Sequence, residues 1–116
     1  MASARRIEQI NILVKEELSR IISRDIDLTE HGLITITRVD TSRDALYATV
    51  YLSLLGANPA ELLSGLEHEV YHIQQKLNRS VAMRPVPKIR FVLDREEMRR
   101  EGLERSLARA KRKGEL

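Results

Sequence analysis

Between Leu46 and Leu54 the chain alternates without a break. Leu46, Ala48, Val50, Leu52 and Leu54 fall on one side, and Tyr47, Thr49, Tyr51 and Ser53 on the other. Successive side chains of a strand point to opposite faces, so this segment predicts a strand with one face to bury and one to leave polar. A sheet built around it takes its helices on one side, which is an α+β arrangement. Leu33 to Val39 (LITITRV) is a second alternating, β-branched strand, and the intervening DTSRDA supplies turn residues, so the two predict a hairpin.

The helices that could cover such a sheet are also visible. Over residues 3–25, Ile7, Ile10, Val14, Leu18, Ile21 and Ile22 recur at the three-and-four spacing of one buried stripe, with Ser3 as N-cap. Asp25 to Gly32 breaks the pattern. Asn58-Pro59-Ala60-Glu61 is a helix start, with Asn as cap, Pro at the first helical position and Glu at the third. From there Leu62, Leu66, Val70, Ile73, Leu77 and Val81 continue in phase, as one long helix or two consecutive ones. Pro85 and Pro87 end the run, and Lys88 to Asp94 reads as a third strand with Ile89, Phe91 and Leu93 inward and Lys88, Arg90 and Val92 outward. With 116 residues, one Phe, three Tyr and no Trp, the chain predicts a single domain whose core is built from Ile, Leu and Val.

Charge is distributed unevenly. Residues 1–94 hold 12 basic and 12 acidic side chains, whereas residues 95–116 hold 8 basic and 5 acidic and so carry the whole net charge of +3. Inside the neutral part, Gln74 to Leu93 (QQKLNRSVAMRPVPKIRFVL) contains Lys76, Arg79, Arg84, Lys88 and Arg90 and no acid. Five cations on a helix end, a proline turn and a strand form the kind of surface a phosphate backbone binds. A solvated charged face is the bland reading; the density of charge on rigid elements favours nucleic acid. Tyr47 and Tyr51 could stack on bases, but a strand tyrosine is more often a good strand former covering its neighbours. The segment REEMRREGLERSLARAKRKGEL after Asp94 reads as a basic tail, either a frayed helix or disordered, and the domain as residues 1–94.

Several chemistries lack support. There is no cysteine for a disulfide, thiolate ligand or thiol nucleophile, which fits a reducing compartment, and no glycine-rich phosphate loop. The N-terminal MASARRIEQ has no apolar signal-peptide core and no run suits a membrane span, so a cytoplasmic protein is expected. His68-Glu69-Val70-Tyr71-His72 matches the H-E-x-x-H pattern, in which two histidines four apart hold zinc and the glutamate acts as base. A third ligand is missing: no His follows, and the next acid is Asp94, at the end of a predicted strand. The motif therefore reads as surface histidines beside Val70 and Ile73, with no metal and no cofactor expected.

The ordered set RRIEQINILVKEELSRII, ITITRVDTSRDALYATVYLS, IQQKL and RPVPKIRFVLD, and within it the Ser42-Arg43-Asp44 turn, resembles ribosome-binding factor A, a bacterial ribosome-assembly family, over about residues 4–94. The resemblance implies a type II KH-like fold of order αββααβ, with a three-stranded sheet, helices on one face and a basic C-terminal tail. It implies no enzyme, but a factor that binds the small (30S) ribosomal subunit and its 16S rRNA during late maturation, supporting processing of the 5′ end, notably in the cold. The family replaces the KH G-x-x-G loop by an Ala-x-Gly triplet, which aligns here with Glu69-Val70-Tyr71 and has no glycine. The expected RNA-contacting residues are Lys76, Arg79, Arg84, Lys88 and Arg90, supported by Arg5, Arg6 and the tail cations Arg109, Lys111, Arg112 and Lys113, in a monomer with no membrane partner. A KH-like RNA binder outside ribosome assembly, and a small zinc hydrolase using His68, Glu69 and His72, are the alternative readings.

Overall fold

The computed structural model describes residues 2–25, 33–55 and 58–101. In order these form α1 (Ala4–Asp25), β1 (Leu33–Thr41), β2 (Tyr47–Leu55), α2 (Pro59–Ser80) and β3 (Lys88–Leu93). A last helical segment, α3, occupies residues 95–101. The sheet order is β1-β2-β3, with β1 antiparallel and β3 parallel to the central β2. Parallel neighbours need a crossover, and α2 provides it. The fold is the α+β, type II KH-like one. The two consecutive helices of the αββααβ order run together here as one 22-residue helix.

Local chemistry sets the element ends. Ser3 caps α1: the Arg6 N–H donates to its Oγ at 3.1 Å and the Ile7 N–H to its carbonyl at 3.0 Å. Asn58 caps α2 in the same way through the Ala60 N–H at 3.0 Å. The hairpin turn is held by Ser42 and Asp44. The Ser42 hydroxyl donates to the Asp44 carboxylate at 2.6 Å and accepts from the Tyr47 N–H at 3.1 Å, and the same carboxylate accepts from the Leu46 N–H at 3.1 Å. These bonds, that from Ser42 first, hold the Asp44 carboxyl below its ordinary range. They also hold Ala45 at a φ of 62°, a left-handed conformation that a side chain disfavours.

One apolar layer lies between the sheet and helices α1 and α2. Val14 and Leu18 of α1, Leu66, Ile73 and Leu77 of α2, and Val50 and Leu52 of β2 are fully buried, and among the described residues Phe91 is the only aromatic in the core. Two details depart from simple alternation. Leu46, expected on the inner face, precedes the strand and is 47% exposed, because the turn takes its N–H. Ser53, expected on the open polar face, is buried, because Glu101 of α3 accepts its hydroxyl at 2.7 Å. Asp94 starts α3, accepting from the Glu97 N–H through its carboxylate and from the Met98 N–H through its carbonyl, both at 3.1 Å. Met98 packs against the core. Helical structure thus continues past residue 94 and covers one end of the sheet's second face; residues 102–116, with the tail cations, lie outside the described residues.

Side-chain amides from the helices occupy both free sheet edges. Lys88 donates its N–H to the Leu46 carbonyl, just before β2, at 2.8 Å, so the Ile89 N–H points away from the sheet. Gln74 of α2 accepts that N–H at 2.9 Å and donates to the Pro87 carbonyl at 3.1 Å. Its amide thereby makes the two bonds that the N–H and C=O of one residue in a fourth, parallel strand would make opposite Lys88. At the other edge, Asn11 of α1 accepts the Thr41 N–H at 2.9 Å. These contacts fix each helix against its strand and close two positions where another chain could pair.

Candidate RNA-binding surface

Four of the cations expected from the sequence fall into two pairs on opposite faces. Lys76 and Arg79 lie near the C-terminal end of α2, beside the C-terminal end of α1. The two helix ends border a groove of about 260 Å³ that also holds Arg20, Arg24 and Glu17. Arg20 and Glu17 form an ion pair at 2.7 Å. Among the described residues that line it, four cations stand with one carboxylate. Lys88 and Arg90 instead stand on the outer face of β3, away from the helices, where Arg90 donates through Nε to the Thr49 hydroxyl at 3.2 Å.

Arg84 belongs to neither group. Its guanidinium donates to the carbonyls of Val81 at 2.9 Å, Met83 at 2.7 Å and Asn78 at 3.2 Å, closing the end of α2 and the turn that follows. Its charge remains near the surface, but three of its five N–H donors are engaged by backbone. Arg5 and Arg6 are exposed in the first turn of α1, which has no acidic residue. Cations there oppose the helix dipole, at a cost of about 0.3–1 kcal/mol each, so helix stability does not account for them. The start of α1 lies at the hairpin turn, where the Ala2 N–H meets the Arg43 carbonyl at 3.3 Å.

A family model described as ribosome-binding factor A matches residues 6–107. The chain belongs to that family. It is 36% identical over 103 residues to ribosome-binding factor A of Bordetella bronchiseptica, covering 87% of this chain and 76% of that protein. The crystal structure of ribosome-binding factor A from Thermus thermophilus has the same fold, with a TM-score of 0.66, 24% identity, and coverage of 77% of this chain and 97% of that one. A homology model of the Thermus thermophilus protein, fitted into a cryo-EM map of its complex with 30S, agrees with a TM-score of 0.62 and 24% identity, covering 78% of this chain and 93% of that one.

Where the family's glycine triplet would fall, Glu69-Val70-Tyr71, α2 of this family member is uninterrupted helix. Leu62, Leu66, Ile73 and Leu77 stay buried on one stripe through the junction, with Val70 packed beside them, and no residue of the triplet favours a bend. Gly65 lies one turn earlier, with nothing within 4 Å of the position a Cβ would take. His68, Glu69 and His72 are exposed on the outer side of α2, and among the described residues no three His, Cys, Asp or Glu side chains converge as a metal site would require.

The sequence reading missed Arg20 and Arg24. It followed one contiguous run, whereas the groove joins the ends of two helices more than fifty residues apart. The available signal was their spacing of four, which puts both on one flank of α1.

Proposed function

We propose that this protein acts by binding rather than catalysis, gripping 16S rRNA of the small ribosomal subunit with the groove between the ends of α1 and α2. The observation that carries this reading is the convergence of Arg20, Arg24, Lys76 and Arg79 on one groove built by two packed helices. Cations carried on the ends of two packed helices suit a phosphate backbone. The Thermus thermophilus relative, whose fold this chain shares, is described in complex with 30S. In this reading the protein is a monomer acting in the cytoplasm during late subunit maturation, and it supports processing of the 5′ end of 16S rRNA, most needed in the cold. Among the described residues no helix is long and apolar enough to cross a membrane.

The test is co-sedimentation with small subunits, large subunits and whole ribosomes across a salt series. Neutralising about three phosphates makes log K fall by about 2–3 for each tenfold rise in salt. Arg24→Glu combined with Arg79→Glu, both exposed, should weaken small-subunit binding and flatten that slope while the circular dichroism spectrum is kept. Equal binding to all three particles, or a slope untouched by the double variant, would remove the groove from the mechanism.

A further inference from the structure

The sheet face turned away from α1 and α2 carries a second pattern that the helix-end groove does not use. Strand register sets its side chains in rows. Arg38, Tyr51 and Val92 form one row across β1, β2 and β3, and Asp40, Thr49 and Arg90 the next. In the third row Tyr47 stands beside Lys88. Among the described residues, α3 covers the sheet at Ser53, at the far end, and leaves these rows open. Tyr47 is 56% exposed, on the wall of a shallow depression of about 530 Å³ bordered by Asp40, Ser42, Thr49 and Arg90. The Arg38 guanidinium lies over the Tyr51 ring, 3.9 Å from its centroid.

We propose that this face is a stacking platform for unpaired RNA bases, an inference that rests on the RNA-binding reading above and adds a second surface to it. An exposed aromatic ring beside two cations has the parts required for a single strand: a π-face for a base, and positive charge for the phosphate attached to it. Tyr47 supplies the ring. Lys88, its direct cross-strand neighbour, and Arg90, one row away, supply the charge. Arg90 is oriented through its Nε by Thr49, which leaves the two terminal Nη nitrogens for the phosphate. Asp40, at the far side of the depression, repels phosphate and accepts an exocyclic amino group, so it orients the base edge towards β1 and the backbone towards β3. Arg38 stacked on Tyr51 extends the platform by a planar cation about 13 Å along β2 from Tyr47, by the rise per strand residue. The sheet face thus reads unpaired bases and the groove holds backbone, so duplex RNA engages only the groove.

The experiment measures binding of a mixed-sequence single-stranded RNA dodecamer, and of the duplex formed with its complement, by fluorescence anisotropy. Tyr47→Ala, at an exposed ring, should weaken the single strand about five- to 150-fold, the range that one base–aromatic stack supplies. It should leave the duplex within about twofold, and Tyr47→Phe should bind as the wild type does. Tyr47→Ala that binds the single strand within twofold of wild type, or loses both RNAs equally, overturns the platform, as does a wild type with no affinity for the single strand. Near-ultraviolet and far-ultraviolet circular dichroism establish that the variants are folded. Co-sedimentation of the same variants with small subunits separates the two readings: loss with the groove variant alone leaves the groove in place and removes the sheet face.

Discussion

Gln74 offers the sharpest test of how this fold is held together. Its amide replaces a missing strand, taking the outward Ile89 N–H at 2.9 Å and the Pro87 carbonyl at 3.1 Å. Gln74→Leu keeps the volume and the helix propensity but removes both partners. Ile89 is 4% exposed and Pro87 is fully buried, so water reaches neither group readily. An orphaned buried donor costs about 1–3 kcal/mol, and a carbonyl that loses one partner less. The expected loss is about 2 kcal/mol, or roughly 8–16 °C in Tm for a domain of about 100 residues. Gln74→Glu keeps an acceptor for Ile89 but sets a carboxylate against the Pro87 carbonyl, so it should recover little of the loss at neutral pH. Urea unfolding gives the free energies, and amide exchange at Ile89, slow in the wild type, should accelerate in the leucine variant. A midpoint corresponding to less than about 0.5 kcal/mol of destabilisation, with Ile89 still protected, would refute the surrogate-strand argument.

Two further predictions concern the junctions on either side of β3. Asp94 caps α3 and accepts the Thr37 hydroxyl at 2.7 Å, and the Thr37 bond, followed by the Glu97 N–H, lowers its carboxyl below the ordinary range. Because the folded value is depressed, the contribution is complete above the ordinary carboxylate pKa and fades as pH falls through the lowered one. Asp94→Ala should therefore cost about 1 kcal/mol at neutral pH, and its deficit relative to wild type should shrink in acid, as read from urea midpoints at pH 7 and below pH 3. Arg84→Ala should lower stability by about 1 kcal/mol through the three carbonyls it leaves, and Arg84→Lys should restore only part, since an ammonium cannot span them as a planar fork does. If Arg84→Ala unfolds as the wild type does but loses subunit affinity, Arg84 is a phosphate contact after all.

Element types and core membership could be read from the chain because they rest on local periodicity. The alternation at residues 48–54, the stripe from Ile7 to Ile22 and the Asn58-Pro59 start each specify their own geometry within a few residues. At Glu69-Val70-Tyr71 the apolar series stays in phase, which fits one long helix or two consecutive ones alike, and the packed structure has one. Which polar groups meet was a different matter. Strand order, the parallel pairing of β3 and the packing of α1 on α2 decide that Arg20 and Arg24 join Lys76 and Arg79, that Lys88 and Arg90 face the other way, and that Arg84 turns back on its own helix. The same packing buries Ser53 under Glu101 and places Gln74 where a strand would be. Hydrophobic periodicity is fixed within one turn or one pleat, so a sequence carries it locally. A hydrogen bond or an ion pair depends on distances of a few ångströms between residues distant in the chain, and only the assembled core sets those distances.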